Sequence, residues 1–244
     1  MVGTAAVLKE QDFVLSSLAP GPGQTRLALA VVVALLLAYL AIDGPLATVQ
    51  LPRSEAFFPI YATAMFVNDA ITAVLLFAQF SILRSPALLA ISCGYLFTAL
   101  LLIPRVLAGV FLLGEGVADA VWLYVISRTG FPILVIAYAL LKDGDSGRPW
   151  AGSVRAAVLA SVGATAGVVI AATWLVMKAD ALLPRLIIDR VHFSPLWPYA
   201  SAIPALLSVG AIGVLWARRR SVLDLWLMVV MIACLIEIVL LWFP

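Results

Sequence analysis

Asp69, Arg128 and Glu237 are ionisable side chains set inside long apolar runs of this sequence. A charged group in hydrocarbon is expensive, so an ionisable residue there marks a binding or proton-handling site by default. The richest stretch is IYATAMFVNDAITAVLLFAQF, which holds Asn68, Asp69, Thr72 and Gln79. On a helix Asn68, Thr72 and Gln79 share one face, and Asp69 points about 100° away from it. Two readings fit these four residues. One is a polar cavity for a ligand, proton or ion; the other is hydrogen bonding between helices that holds a bundle together. For Asp69 the demand is sharper, because an unpaired carboxylate in lipid must take up a proton or find a cation.

Arg128 lies in WLYVISRTGFP. Its guanidinium keeps its proton at any ordinary pH and needs an anion, carbonyls or water. Asp69 and Glu237 are the candidate partners. Alternatively Gly130 and Pro132 break the helix and Arg128 lines an aqueous pocket there, or the side chain simply snorkels to the interface. Glu237, in CLIEIVLLW, reads either as a structural partner or as a proton- or ligand-sensing group. His192 is the single histidine; it stands in a loop string without a cysteine pair or carboxylate cluster, so it reads as an ordinary loop residue and not a metal ligand. Cys93 and Cys234 fall in apolar runs without paired spacing and read as buried thiols. Trp122 with Tyr124, and Trp197 with Tyr199, fit an interfacial aromatic belt. Gly163, Gly167 and Ala171 recur every four residues, a spacing that close helix packing explains.

The elements that must position these residues are membrane helices. Of the 244 residues 64% are apolar and 11% charged, against ~45–50% and ~25% in soluble domains. So few charges cannot cover a surface facing water, which excludes a soluble enzyme or a disordered tail. A net charge of +2, with Lys and Arg in short clusters, argues against nucleic acid as a partner. Seven segments are long and apolar enough, or nearly so, to cross a ~30 Å core: 27–42, 57–83, 86–103, 118–141, 153–177, 198–217 and 222–243. The first is short and ends at Asp43-Gly44-Pro45, so it either tilts little or continues past a kink. None alternates with period two, so the predicted fold is all-α, a polytopic helix bundle. Residues 1–26 form an N-terminal segment, and 27–244 form one membrane-embedded domain. No long apolar run starts near Met1, so the first span is predicted to be an uncleaved anchor.

Basic residues orient the bundle. With the N-terminus inside, nine fall on the inner side (Lys9, Arg26, Arg84, Lys142, Arg148, Arg155, Arg218, Arg219 and Arg220) and five outside (Arg53, Arg105, Lys178, Arg185 and Arg190). The excess predicts a cytoplasmic N-terminus, with the loop at about 178–197 running against the rule. The last apolar run ends at Trp242-Phe243-Pro244 without a polar tail, which predicts an interrupted chain with an eighth span to follow.

The strings IYATAMFVNDAITAVLLFAQFSILRS, GYLFTALLLIP, WLYVISRTGFPILVIAYALLK and VLDLWLMVV resemble the fourth family of bacterial membrane-associated sensor domains, the MASE type. The likeness is strong from Pro59 to Lys142 and recognisable again around Ser221 to Val230. It implies a sensory input module of the bacterial inner membrane, without chemistry of its own, joined to a cytoplasmic histidine kinase or diguanylate cyclase. By the same analogy it allows a homodimer. The family pattern has a histidine after the Ile-Pro of the second string and another before the Gly-Phe-Pro of the third. This chain has Arg105 and Arg128 there, and arginine cannot serve as a switch near neutral pH.

The leading expectation is a sensor whose signal, hydrophobic or membrane-delivered, biases a helix arrangement read by an absent output module. Its candidate sensing residues are Asn68, Asp69, Thr72, Gln79, Arg105, Trp122, Tyr124, Arg128 and Glu237. No catalytic set, metal site or cofactor is expected. The competing reading is a small transporter or channel along Asp69, Arg128 and Glu237, although Gly130-Phe131-Pro132 has no counterpart in the other half. A lipid enzyme lacks a catalytic constellation. A retinal photoreceptor is excluded because the last lysine is Lys178, leaving no amine in the final two spans.

Overall fold

A computed structural model of the chain describes residues 20–44, 57–111, 117–145, 150–178, 183–184, 186 and 194–241. His192, Lys9, Arg53, Arg148, Arg185, Arg190 and most of the N-terminal segment lie outside the described residues, as do 242–244. Seven helices occur among the described residues, and no strand: α1 (Pro22–Asp43), α2 (Phe57–Leu83), α3 (Pro86–Phe111), α4 (Val117–Asp145), α5 (Val154–Lys178), α6 (Trp197–Ala217) and α7 (Val222–Leu240). Each is long and apolar enough to cross a membrane. Helices are the natural outcome, since a backbone in hydrocarbon must satisfy its hydrogen bonds within its own segment.

Local chemistry sets where they begin. Pro22 and Pro86 open α1 and α3, where a missing amide hydrogen costs nothing. Serine hydroxyls accept from the first turns of α3 (Leu88 N to Ser85 Oγ, 3.3 Å) and α5 (Ala156 N to Ser153 Oγ, 3.4 Å). The start of α7 is the best built. Ser221 Oγ accepts from Asp224 N at 3.3 Å, while Asp224 Oδ2 accepts from the amides of Arg220 (2.8 Å) and Ser221 (2.9 Å). This reciprocal cap satisfies orphan donors and sets a carboxylate on the positive end of the helix.

Two of the helix boundaries differ in kind from the apolar runs. α1 extends towards the N-terminus and takes in Arg26; at its other end Gly44 N bonds Leu40 O at 3.0 Å. α4 runs unbroken through Gly130 and Pro132, which corrects the alternative of a helix break beside Arg128. Pro132 withholds one amide hydrogen from the ladder, but the flanking turns carry the helix across it.

Residues 50–207 form one compact unit, and residues 1–49 with 208–243 form another, α6 passing from the first to the second. In the larger unit α3 is central and packs against α2, α4 and α5. It is accordingly buried on several sides, through Leu88, Ile91, Tyr95, Phe97 and Leu101. α2 and α3 form a hairpin across Arg84, whose φ of 52° is the one left-handed non-glycine value among the described residues. The Arg84 carbonyl accepts from Trp150 N at 2.9 Å, which ties the α4–α5 connection to the same end of the unit. At the opposite end the Trp122 indole donates to the Pro184 carbonyl at 3.1 Å, bringing in the chain after α5. In the smaller unit α1 packs along α7.

Glycines mark where helices meet closely. A β-carbon at Gly130 would sit 2.8 Å from Phe97 Cζ, and Phe97 belongs to the buried cluster with Leu101, Leu123, Val169 and Val176. Gly163 and Gly167 are the opposite case: a β-carbon there meets nothing within 4 Å. The predicted close packing along Gly163, Gly167 and Ala171 is therefore not made at the two glycines among the described residues. α5 buries a single stripe (Ala157, Thr165, Val169, Val176), and the glycines lie off it.

Gly130→Ala is expected to lower stability by about 1–3 kcal/mol, read as a fall in the unfolding midpoint in detergent, with part of the loss recovered by Phe97→Leu. Gly163→Ala is expected to raise stability slightly, since alanine is the better helix former by roughly 0.5–1 kcal/mol. Asp224→Ala is expected to cost about 1–2 kcal/mol and to speed hydrogen exchange in the first turn of α7.

Candidate functional site

Asp69 owes its position to the register of α2. Ala62, Asp69, Ala73, Leu76 and Phe80 make up its buried stripe, and Asp69 is 8% exposed. Small residues on either side let α3 approach closely. Thr98 of α3 then meets the carboxylate, its hydroxyl donating to Asp69 Oδ2 at 2.9 Å. Asn68 Nδ2 stands 3.5 Å from Asp69 Oδ1, at the outer limit of a hydrogen bond.

Thr98 Oγ1 also lies 2.9 Å from the Tyr95 carbonyl, one turn back in its own helix. One hydroxyl hydrogen cannot fully serve both acceptors, and the charged carboxylate is the stronger of the two. The geometry nevertheless holds for either state of Asp69. Ionised, Asp69 accepts from Thr98. Protonated, it can donate to Thr98 Oγ1, which turns its own hydrogen to the Tyr95 carbonyl. A proton can therefore be taken up or released with no helix displaced.

Tyr124 is the second centre. Its ring, 5% exposed, is approached by the Arg105 guanidinium at 4.8 Å from the centroid and by that of Arg128 at 5.4 Å. Trp197, 3% exposed, stacks on it at 6.3 Å with an interplanar angle of 29°. Tyr124 and Arg128 are one turn apart on α4, Arg105 comes from α3, and Trp197 is the first residue of α6. Each cation over an aromatic face contributes about 0.5–2 kcal/mol. Against this, the two guanidinium carbons lie within about 10 Å of each other, and like charges at that range repel by on the order of 1.5 kcal/mol or more. Arg128 is also near enough for its charge to act on Asp69.

Depth orders these groups into a ladder. Trp197 opens its span, and Arg105 stands about one turn from the end of α3's span at Ala108. Counted from Ala120, Tyr124 and Arg128 lie about 6 and 12 Å into the span of α4. Asp69 lies about 15 Å into that of α2, near the middle of a ~30 Å core. Polar groups thus descend from one face of the larger unit to mid-membrane.

Four of the sequence candidates, Asp69, Arg105, Tyr124 and Arg128, make up this ladder, with Trp122 beside it. The aromatic-belt expectation is corrected for Tyr124 and Trp197, which are buried against each other, while Tyr199 faces outward. Asn68 is exposed on the outer face of α2, and the Thr72 hydroxyl donates to Asn68's own carbonyl at 2.8 Å. Gln79 lies near the far end of α2, its Oε1 buried without a partner among the described residues. Glu237 is half-buried on α7 in the smaller unit. Cys93 is half-buried rather than buried, Cys234 is buried, and neither forms a disulfide.

Sequence reasoning missed Thr98, Trp197 as a site residue, and Asp224. Thr98 had a usable signal. Reflection about the Arg84–Ser85 turn sets residue 69 opposite about residue 100, within half a turn of Thr98. Asp224 had one too, the Ser-x-x-Asp spacing that opens α7.

Residues 52–244 match the family model MASE4, a membrane-associated sensor, integral membrane domain. The chain belongs to that family. No curated protein and no solved structure matches it. The MASE4 domain is a multi-pass membrane input module, and no enzymatic activity is indicated for it. Arg105 and Arg128 meet on the single ring of Tyr124.

Thr98→Val keeps the shape of the side chain and removes the hydroxyl from Asp69. It is expected to cost about 1–3 kcal/mol, because a buried carboxylate is left short of a donor. Asn68→Ala, which removes only the contact at 3.5 Å, is expected to cost much less. Unfolding midpoints of the two variants in the same detergent compare them directly.

Proposed function

We propose that this MASE4 domain senses a signal through the ladder from Trp197 and Arg105 down to Asp69, and passes it to a cytoplasmic histidine kinase or diguanylate cyclase of the same parent polypeptide. The carrying observation is the convergence of Arg105 and Arg128 on Tyr124, with Asp69 below them and Thr98 able to serve either of its protonation states. A group that adds charge at the top of the ladder changes what Arg128 and Asp69 experience beneath it. α2, α3, α4 and α6 all contribute to the ladder, so its occupancy can bias their arrangement.

Basic residues support the orientation. Arg84, Lys142 and Arg155 gather at the end of the larger unit where Trp150 bonds Arg84, and this basic excess supports reading that end as the cytoplasmic one and the mouth of the ladder as extracytoplasmic. The domain then lies in the bacterial inner membrane with its N-terminal segment, residues 1–26, inside. A pair of such domains is the natural partner for dimeric output modules.

The test is a chimera of the chain, continued through one further span, with a diguanylate cyclase whose product is measured in cells. Asp69→Asn and Arg128→Gln are each expected to shift resting output at least threefold, while Ile170→Ala on the outer face of α5 leaves it unchanged. Solute or proton flux in proteoliposomes that Asp69→Asn abolishes would replace the sensor with a transporter.

A further inference from the structure

We infer that two copies of this chain pair through the outer face of α2, with the Asn68 side chains of the two copies facing each other at mid-membrane. The inference rests on the pairing of domains in the reading above and names its surface. Asn68 lies about 14 Å into the span of α2, near the middle of a ~30 Å core, and it is exposed. Among the described residues its carboxamide makes a single contact, Nδ2 to Asp69 Oδ1 at 3.5 Å, and its oxygen accepts no hydrogen bond. An amide left to hydrocarbon is costly, so this position calls for a polar group brought by another helix.

Elsewhere among the described residues, no helix presents an exposed amide, hydroxyl or charged side chain at that depth. A second Asn68 does. A carboxamide carries donors and an acceptor together, so two of them face to face satisfy each other. Copies inserted with the same topology are related by a two-fold axis along the membrane normal. Helices paired about that axis run parallel, and each residue on the seam meets its own copy at its own depth. α2 carries a seam of the required period. Ala64, Asn68, Ile71, Leu75, Ala78 and Ile82 follow at alternating steps of four and three, and all six are exposed. That period keeps one stripe against a facing helix, and a lone polar residue within it fixes the register. Ala64 also lines a hollow with Pro59, Ile60, Thr63 and Val67. Residues 60, 63, 64 and 67 have the i, i+3, i+4, i+7 spacing of the hole into which a facing helix inserts a side chain.

Ala64→Cys, Ile71→Cys and Ala78→Cys each place one added cysteine on the seam. Val74→Cys places it beside the seam, and Ile170→Cys on the outer face of α5. The whole chain in cell membranes is oxidised with iodine, and the unaltered chain, which keeps Cys93 and Cys234, sets the background. The seam variants are expected to give covalent pairs of twice the chain mass, at least fivefold more than Val74→Cys or Ile170→Cys. Energy transfer between two labelled populations, followed as lipid dilutes them in vesicles, measures the strength of pairing. Asn68→Leu is expected to weaken it at least fivefold, and Asn68→Gln less. The cysteine series leaves Asn68 in place and provides the reading if Asn68→Leu fails to fold. Equal cross-linking at all five positions, or none above background, overturns the inference and leaves the face to lipid or another segment. Cross-linking strongest at Ile170→Cys overturns it in favour of α5, and so do dilution curves that coincide for the folded Asn68→Leu variant and the unaltered chain, by removing the role of Asn68. Seam cross-links in a chimera whose output Asp69→Asn leaves unchanged would keep the interface and remove the sensory ladder. An output that Asp69→Asn shifts, without seam cross-links, would keep the sensor and remove this interface.

Discussion

A backbone in hydrocarbon has no water to bond with, and this single constraint shapes the rest of the molecule. It turns each apolar run into a helix and demands that polar side chains find partners inside the chain. Most do so locally. The hydroxyls of Thr72, Ser92, Thr129 and Thr173 each bond a carbonyl one turn back in their own helix. These residues are thereby neutralised and say little about function. Asp69 is different, because a carboxylate has no hydrogen to give to a carbonyl when ionised. Its own helix offers only the long contact from Asn68 at 3.5 Å, and the close donor comes from another helix, Thr98 of α3 at 2.9 Å.

Arg128 presents the complementary problem. It cannot discharge, and its place about 12 Å into its span leaves it short of open water. The face of Tyr124 offsets part of that cost. The packing of α3 against α4 brings Arg105 to the same ring. Gly130 lets Phe97 seat against the α4 backbone, and Tyr95 meets Phe131 edge-on at 5.0 Å, nearly three turns before Arg105 on α3. The polar ladder therefore depends on an apolar contact below it.

How much of this was legible follows from what sequence encodes. Apolar run length is a property of neighbours along the chain, so all seven spans and the helical class could be read. The costly residues Asp69 and Arg128 could be picked out because their chemistry contradicts their surroundings. Which face of a helix turns inward was far less visible. Apolar residues ring every span, so Asn68 and Asp69 look equivalent until α3 packs against one of them. Trp197 and Tyr124 likewise read as belt residues, because a buried aromatic pair and an interfacial one have the same composition. Pro132 read as a break because helix propensity belongs to water, whereas in lipid the cost of opening the ladder further outweighs the one lost bond.

The meeting of Arg105 and Arg128 on one ring bears on how the domain works. Here both are fixed cations, so the upper part of the ladder has the same charge under all ordinary conditions. Below them Asp69 can hold or lose a proton against Thr98 in either state. A proton that approaches it past the arginines meets two positive charges that oppose it.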